Sequence, residues 1–215
     1  MQSPPTMEMA ACFFIKQMTM KRLTNTMLLL AMMLVSMNAQ AALNDLEKEM
    51  VGHFTAQSEE PGDDEHPADN PMYFTYVFDF RADKTFTIQI ILDQTQEFAL
   101  DISDAEQQYA NTLILHAVQT IEGKWRCTSH SIILDDSGVV DRKVDVKMKN
   151  DDEIARVMLA NIDKDDLVDE PLSDQTIMLR GNGAVGGKEY EVSFNEAITF
   201  LEDSAGKTLE LYAEE

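Results

Sequence analysis

The chain has 215 residues, 44% of them hydrophobic, with 39 acidic against 17 basic side chains and a net charge of −22. A surface of that charge repels phosphate backbones and anionic membrane faces, which disfavours nucleic-acid and peripheral-membrane binding. Two cysteines cannot build a disulfide scaffold when one, Cys12, lies in a segment expected to be removed; stability must then come from packing.

The segment expected to be removed is 1–41, and the export signal within it is 20–41. Lys21 and Arg22 form a cationic start, 27–37 is apolar apart from Ser36, and Ala39-Gln40-Ala41 supplies small residues at a cleavage site. The order predicts a secretory signal peptide removed after Ala41, and hence a secreted or periplasmic protein. Residues 1–19 resemble neither a globular element nor a signal start, so Met18 or Met20 is expected as the initiator. The apolar run is shorter than the roughly 20 residues a spanning helix needs, so no stable membrane insertion is expected after cleavage. Loss of Lys16, Lys21, Arg22 and Glu8 moves the net charge from −22 to −24 and leaves 42–215 as one domain.

In chain order, a short strand near 50–55 is followed by a loop over 57–71, acidic and interrupted by Pro61, Gly62, Pro67 and Pro71. Next comes the clearest element, a β-hairpin. Phe74, Tyr76, Phe78 and Phe80 alternate with Thr75, Val77 and Asp79; after the polar turn 81–84, Phe86, Ile88, Ile90 and Leu92 continue on one face. A helical turn with capping-box spacing between Ser103 and Glu106 is one reading of 103–109. Strands are predicted over 112–128, 131–135, 140–149, 176–180, 189–194 and 208–212, with 98–102 and 197–201 as weaker candidates. One amphipathic helix is predicted after Asn150-Asp151-Asp152-Glu153, with Ile154, Val157, Met158 and Ile162 along one face, ending within 163–171. Many short antiparallel strands with one helix predict a mainly β protein, a closed barrel or a sandwich.

The hairpin 78–87 resembles the "strand, D-G-T-F, strand" signature of lipocalin-like (calycin-like) domains in secreted bacterial proteins. Gly123-Lys124-Trp125 followed by 131–134 is similar to their "G-T-W … L-x-L" pair, and 50–54 to their first-strand L-x-G-x-W. Lys84 in place of glycine and Phe54 in place of tryptophan depart from the pattern. The resemblance implies a single antiparallel up-and-down barrel, often holding a small apolar molecule, and implies no one activity.

On that reading Phe74, Tyr76, Phe78, Phe80, Phe86, Ile88 and Trp125 are the candidate walls of a ligand cavity. Eight-stranded interiors are either filled by side chains or just hold one small ligand, so an ordinary packed core is the competing reading, and Trp125 equally suits a plug at one end. Other motifs fail on their chemistry. Asn161, Asp163, Asp165 and Asp169 have calcium-loop spacing, but Asp166 and Leu172 stand where Gly and a closing Glu are required. The four histidines have no zinc spacing. Cys127 and His130 are three apart, on opposite faces if on a strand. Gly181, Gly183 and Gly186 match G-x-G-x-x-G, but a strand rather than a helix follows. No cofactor, metal or covalent chemistry is therefore expected. The expected partner is a small apolar or amphipathic molecule; the alternative is another exported protein, bound or inhibited through loops or an edge strand of a filled barrel.

Overall fold

Only an extended backbone puts Phe74, Tyr76, Phe78 and Phe80 on one side, because successive side chains of a strand point to opposite faces. A computed structural model describes residues 43–61, 70–102, 107–180 and 187–214, and places these four rings on β2 (Met72–Phe80). Around it run β1 (Gly52–Glu60), β3 (Thr85–Ile102), β4 (Gln107–Cys127), β5 (Ser131–Met148), β6 (Lys188–Asn195), β7 (Ile198–Asp203) and β8 (Thr208–Ala213). Each strand pairs antiparallel with its sequence neighbours, and β8 returns to β1, closing a barrel-like ring. The protein is mainly β, as its pattern predicts.

The register carries the alternation across the sheet. Phe54 faces Phe78, which faces Ile88, which faces Ile121; Ala56, Tyr76, Ile90 and Gln119 form the next row. A slip of one residue would turn all these side chains outward, which is why one buried face fixes the pairing.

Several boundaries differ from the sequence reading. The strand begins at Gly52 and runs through Glu60, because Asp45–Met50 is a helix, α1, with Asn44 and Glu47 forming a capping box. Residues 98–102 continue β3, and 131–135 and 140–149 join as one long strand with register shifts after Thr120 and Glu122 on its partner. The single amphipathic helix becomes three helices among the described residues. The expected one is α2 (Glu153–Asn161), N-capped by Asp152, but Ile154 and Val157 of its apolar stripe are exposed. The third, α3 (Asp166–Arg180), overturns the strand expected at 176–180. Val168, Leu172, Gln175, Thr176 and Leu179 are its buried residues, at helical spacing. Pro171, the sixth residue of α3, lies past the first turn and cannot make the bond toward Leu167. The signal segment 20–41, most of the acidic loop (62–69), Ser103–Glu106 and the glycines 181, 183 and 186 lie outside the described residues.

α1 covers the end of the ring where the 81–84 turn lies. Asn44 donates to the Cys127 carbonyl at 3.4 Å, and Glu47 forms an ion pair with Lys84, whose ammonium sits 4.9 Å from the Trp125 ring centroid. Trp125 Nε1 is shared between the carbonyls of Arg81 and Thr85 at 3.1 and 3.0 Å, which anchors the indole beside the 81–84 turn. Lys84 has φ +69°, the left-handed region that the D-G pattern fills with glycine. The contacts of its side chain with Glu47 and Trp125 offset that strain.

Burial pushes the Glu47 carboxyl up, but Lys84 and the backbone N–H groups of Asn44 and Cys127 outweigh it, so it sits below its ordinary 4.5. A carboxyl depressed by folding stabilises the fold above its unfolded value and loses that contribution as pH falls through the folded value. Glu47→Gln is therefore expected to destabilise the protein at neutral pH, with the difference from wild type shrinking as pH drops below 4.5. Urea unfolding of both proteins across pH 3–7 measures it; a pH-independent difference would refute the ion-pair account.

Candidate ligand cleft between the first and last strands

The seven side chains singled out in the sequence share the interior of the ring, and none is more than 2% exposed. Phe74 and Tyr76 stack at 6.4 Å, Phe78 and Phe80 at 5.8 Å, and Phe80 meets the edge of Trp125 at 5.6 Å. A wall facing a ligand-sized void would present surface to a water-sized sphere, and these rings present almost none. The rings are packed against each other, and Tyr76 also reaches α3.

Polar side chains tie α3 to the walls. The Tyr76 hydroxyl donates to Gln175 Oε1 at 2.7 Å, which leaves Ser58 Oγ, 3.0 Å away, to donate to the phenol oxygen. Burial pushes the Tyr76 hydroxyl up to about 12, so it stays protonated for this role. Gln119 is fully buried; it donates to Thr176 Oγ1 at 2.5 Å and accepts from Arg142 at 2.8 Å, and Arg142 continues to Asp169 at 2.9 Å. At the last turn, the Tyr190 hydroxyl is shared between the carbonyls of Met178 and Leu179, and Lys188 reaches both the Met178 carbonyl and Asp203. These are the free carbonyls every helix C-terminus leaves, so their capping fixes where α3 ends.

The end of α3 lies at the weakest seam of the ring. β1 and β8 pair through only two rungs, Phe54 with Ala213 and Thr55 with Tyr212, extended by a bond from the Glu214 N–H to the His53 carbonyl. Continued in register, Ala56 would face Leu211 and Ser58 would face Leu209, but no ladder forms there. A cleft of about 510 Å³ lies between the parted strands. Ala56, Ser58, Leu209 and Met178 line it from the inside, and Gln57, Thr208, Glu210 and Tyr212 from the outside. Lys207 closes its far end with Glu60 at 3.5 Å. The volume falls in the range of small-molecule sites.

Other candidates have quieter surroundings. Cys127 ends β4 half-buried; burial, then the Glu47 carboxylate, pushes its thiol up to about 11, which leaves it unreactive at neutral pH. Asp169 of the calcium-like run faces Arg142, and Asp163 accepts from the Asp165 N–H. Phe86 also borders a cleft of about 430 Å³ beside Arg81 and Lys124. Among the described residues no helix is long and apolar enough to cross a membrane.

Sequence reasoning did not single out Ala56, Ser58, Met178, Leu209, Glu210 or Tyr212. The alternation of Leu209 and Leu211 with Thr208, Glu210 and Tyr212 marks a strand, but nothing local says that its partner diverges. The chain matches no protein-family model and no curated protein.

Proposed function

We propose that this chain is an exported, lipocalin-like up-and-down barrel that binds a small amphipathic molecule, and that it binds it in the β1–β8 cleft. The observation that carries this reading is the lapse of the β1–β8 ladder after two rungs, with about 510 Å³ between the two strands. The signal-like segment 20–41 supports export, and the motifs around 78–87 and 123–134 support the family. The aromatic stripe then serves as the rigid wall behind the cleft, with Tyr76 and Ser58 joining the two.

Native mass spectrometry of protein isolated gently from its own cells tests the reading. A mass increment lost on organic extraction is expected, and Thr208→Trp, an exposed substitution at the cleft mouth, should reduce its occupancy several-fold without altering stability. A bare mass for the folded wild type would defeat it.

The packed interior favours a second reading. With the seven stripe residues at most 2% exposed and one face of α3 buried, the molecule also fits a side-chain-filled module that binds another exported protein. A bare mass together with a stable complex in pull-down would support that alternative.

A further inference from the structure

We infer that this protein forms a homodimer by pairing the open edge of β5 with the same edge of a second copy, antiparallel and centred on Val144.

β6 flanks β5 for four rungs only, from Ser131 to Leu134. Among the described residues, 135–148 have β4 on one side and no strand on the other. The Lys149 N–H bonds to the Thr112 carbonyl, and the register holds without a shift from Met148 to Asp141. Backbone groups in an antiparallel pair alternate in direction, so the odd positions 141–147 turn theirs to β4. Arg142, Val144 and Val146 then aim theirs at the open edge, where no described backbone group receives them. Such an edge is a template for one more strand.

The outward row decides whose strand it is. Asp141, Lys143, Asp145 and Lys147 alternate in sign, are each more than half exposed, and pair along the strand at 3.4 and 3.0 Å. Exposed pairs of this kind hold weakly and can extend to a neighbouring strand. With the two-fold axis at Val144, a second copy sets Asp141 against Lys147 and Lys143 against Asp145, each twice by symmetry. The same axis joins Val144 to its copy and Arg142 to Val146, the positions whose backbone groups are open. Moving the axis to Lys143 or Asp145 sets like charges opposite each other, so the row accepts its copy in one register and opposes the adjacent ones. Lysines alone would guard an edge against pairing; this alternation specifies a partner. The stretch 141–147 carries three basic and two acidic side chains in a chain of net −22, so the general self-repulsion is lifted there.

Sedimentation equilibrium of the purified protein tests the assignment, and a dimer mass is expected. Lys143→Asp with Lys147→Asp makes the row wholly acidic; Asp141→Lys with Asp145→Lys makes it wholly basic. Each double variant is expected to raise the dissociation constant by about tenfold or more. Mixed in equal amounts, the two should recover a dimer holding one copy of each, read by native mass spectrometry. All four positions are exposed, so circular dichroism should show both variants folded. A dimer that survives both double variants would overturn the proposal by placing the interface elsewhere. A mixture that stays monomeric would overturn the charge register. A monomeric wild type, bare or bound to a different exported protein, would overturn the choice of a second copy as the partner.

Discussion

Tyr76→Ala is expected to lower the stability of the fold by about 3–5 kcal/mol, the cost of deleting a fully buried aromatic side chain. Tyr76 is 0% exposed, stacks on Phe74 and bonds across the interior to Gln175. Truncation would open a void in a row that runs from Ala56 to Gln119, and would leave Gln175 without its donor. Tyr76→Phe separates the two contributions: it keeps the ring and removes only the hydroxyl, for an expected loss of about 1 kcal/mol. Denaturant unfolding of the two variants, read beside ligand binding, distinguishes wall from core. A large loss of stability with binding intact marks Tyr76 as core; a small loss with binding abolished would mean the stripe faces a cavity, contrary to its packing here.

A second large effect is expected from Gly187→Ala. The chain leaves the 181–186 segment and enters β6 at Gly187 with φ +84°, a conformation that costs a side chain about 1–2 kcal/mol. An added Cβ would also lie 2.4 Å from the Leu134 carbonyl oxygen and 2.8 Å from its carbon. Those atoms belong to the backbone of β5, at the last of the four rungs that join β5 to β6, so no rotamer change can relieve the overlap. The expected loss is about 3 kcal/mol or more, with hydrogen-exchange protection falling first at 188–191. Gly206→Ala supplies the control, because its φ of +80° carries the same conformational cost but nothing lies within 4 Å. Equal losses for the two variants would show that the close approach to Leu134 contributes nothing.

The two substitutions also mark how far the primary sequence can be read. Tyr76 was legible: a side chain at every second position is a local signal, and one buried face then forces the antiparallel register from Gly52–Phe80 through Phe80–Phe86. Gly187 was not, because its requirement comes from a strand more than fifty residues away. The same contrast holds within α3. Its β-branched and apolar run at 176–179, following a proline, reads as a strand by propensity. As a helix it buries Leu172, Thr176 and Leu179 inside the ring and satisfies Gln119 and Tyr76. Long-range packing overrode a weak local preference. The N-terminal capping box, by contrast, is written locally in Asn44 and Glu47, but the sequence reading begins its first element only near Met50.

The candidate site divides the same way. By itself the sequence determined the β class, the aromatic interior and the acidity of the surface, since periodicity and charge are properties of neighbours along the chain. The tertiary structure alone decided that the ring parts between its first and last strands, that α3 ends beneath the gap, and that Ala56, Met178 and Leu209 meet there. Those residues are separated by up to about 150 positions, and only closure of the ring and docking of α3 bring them together.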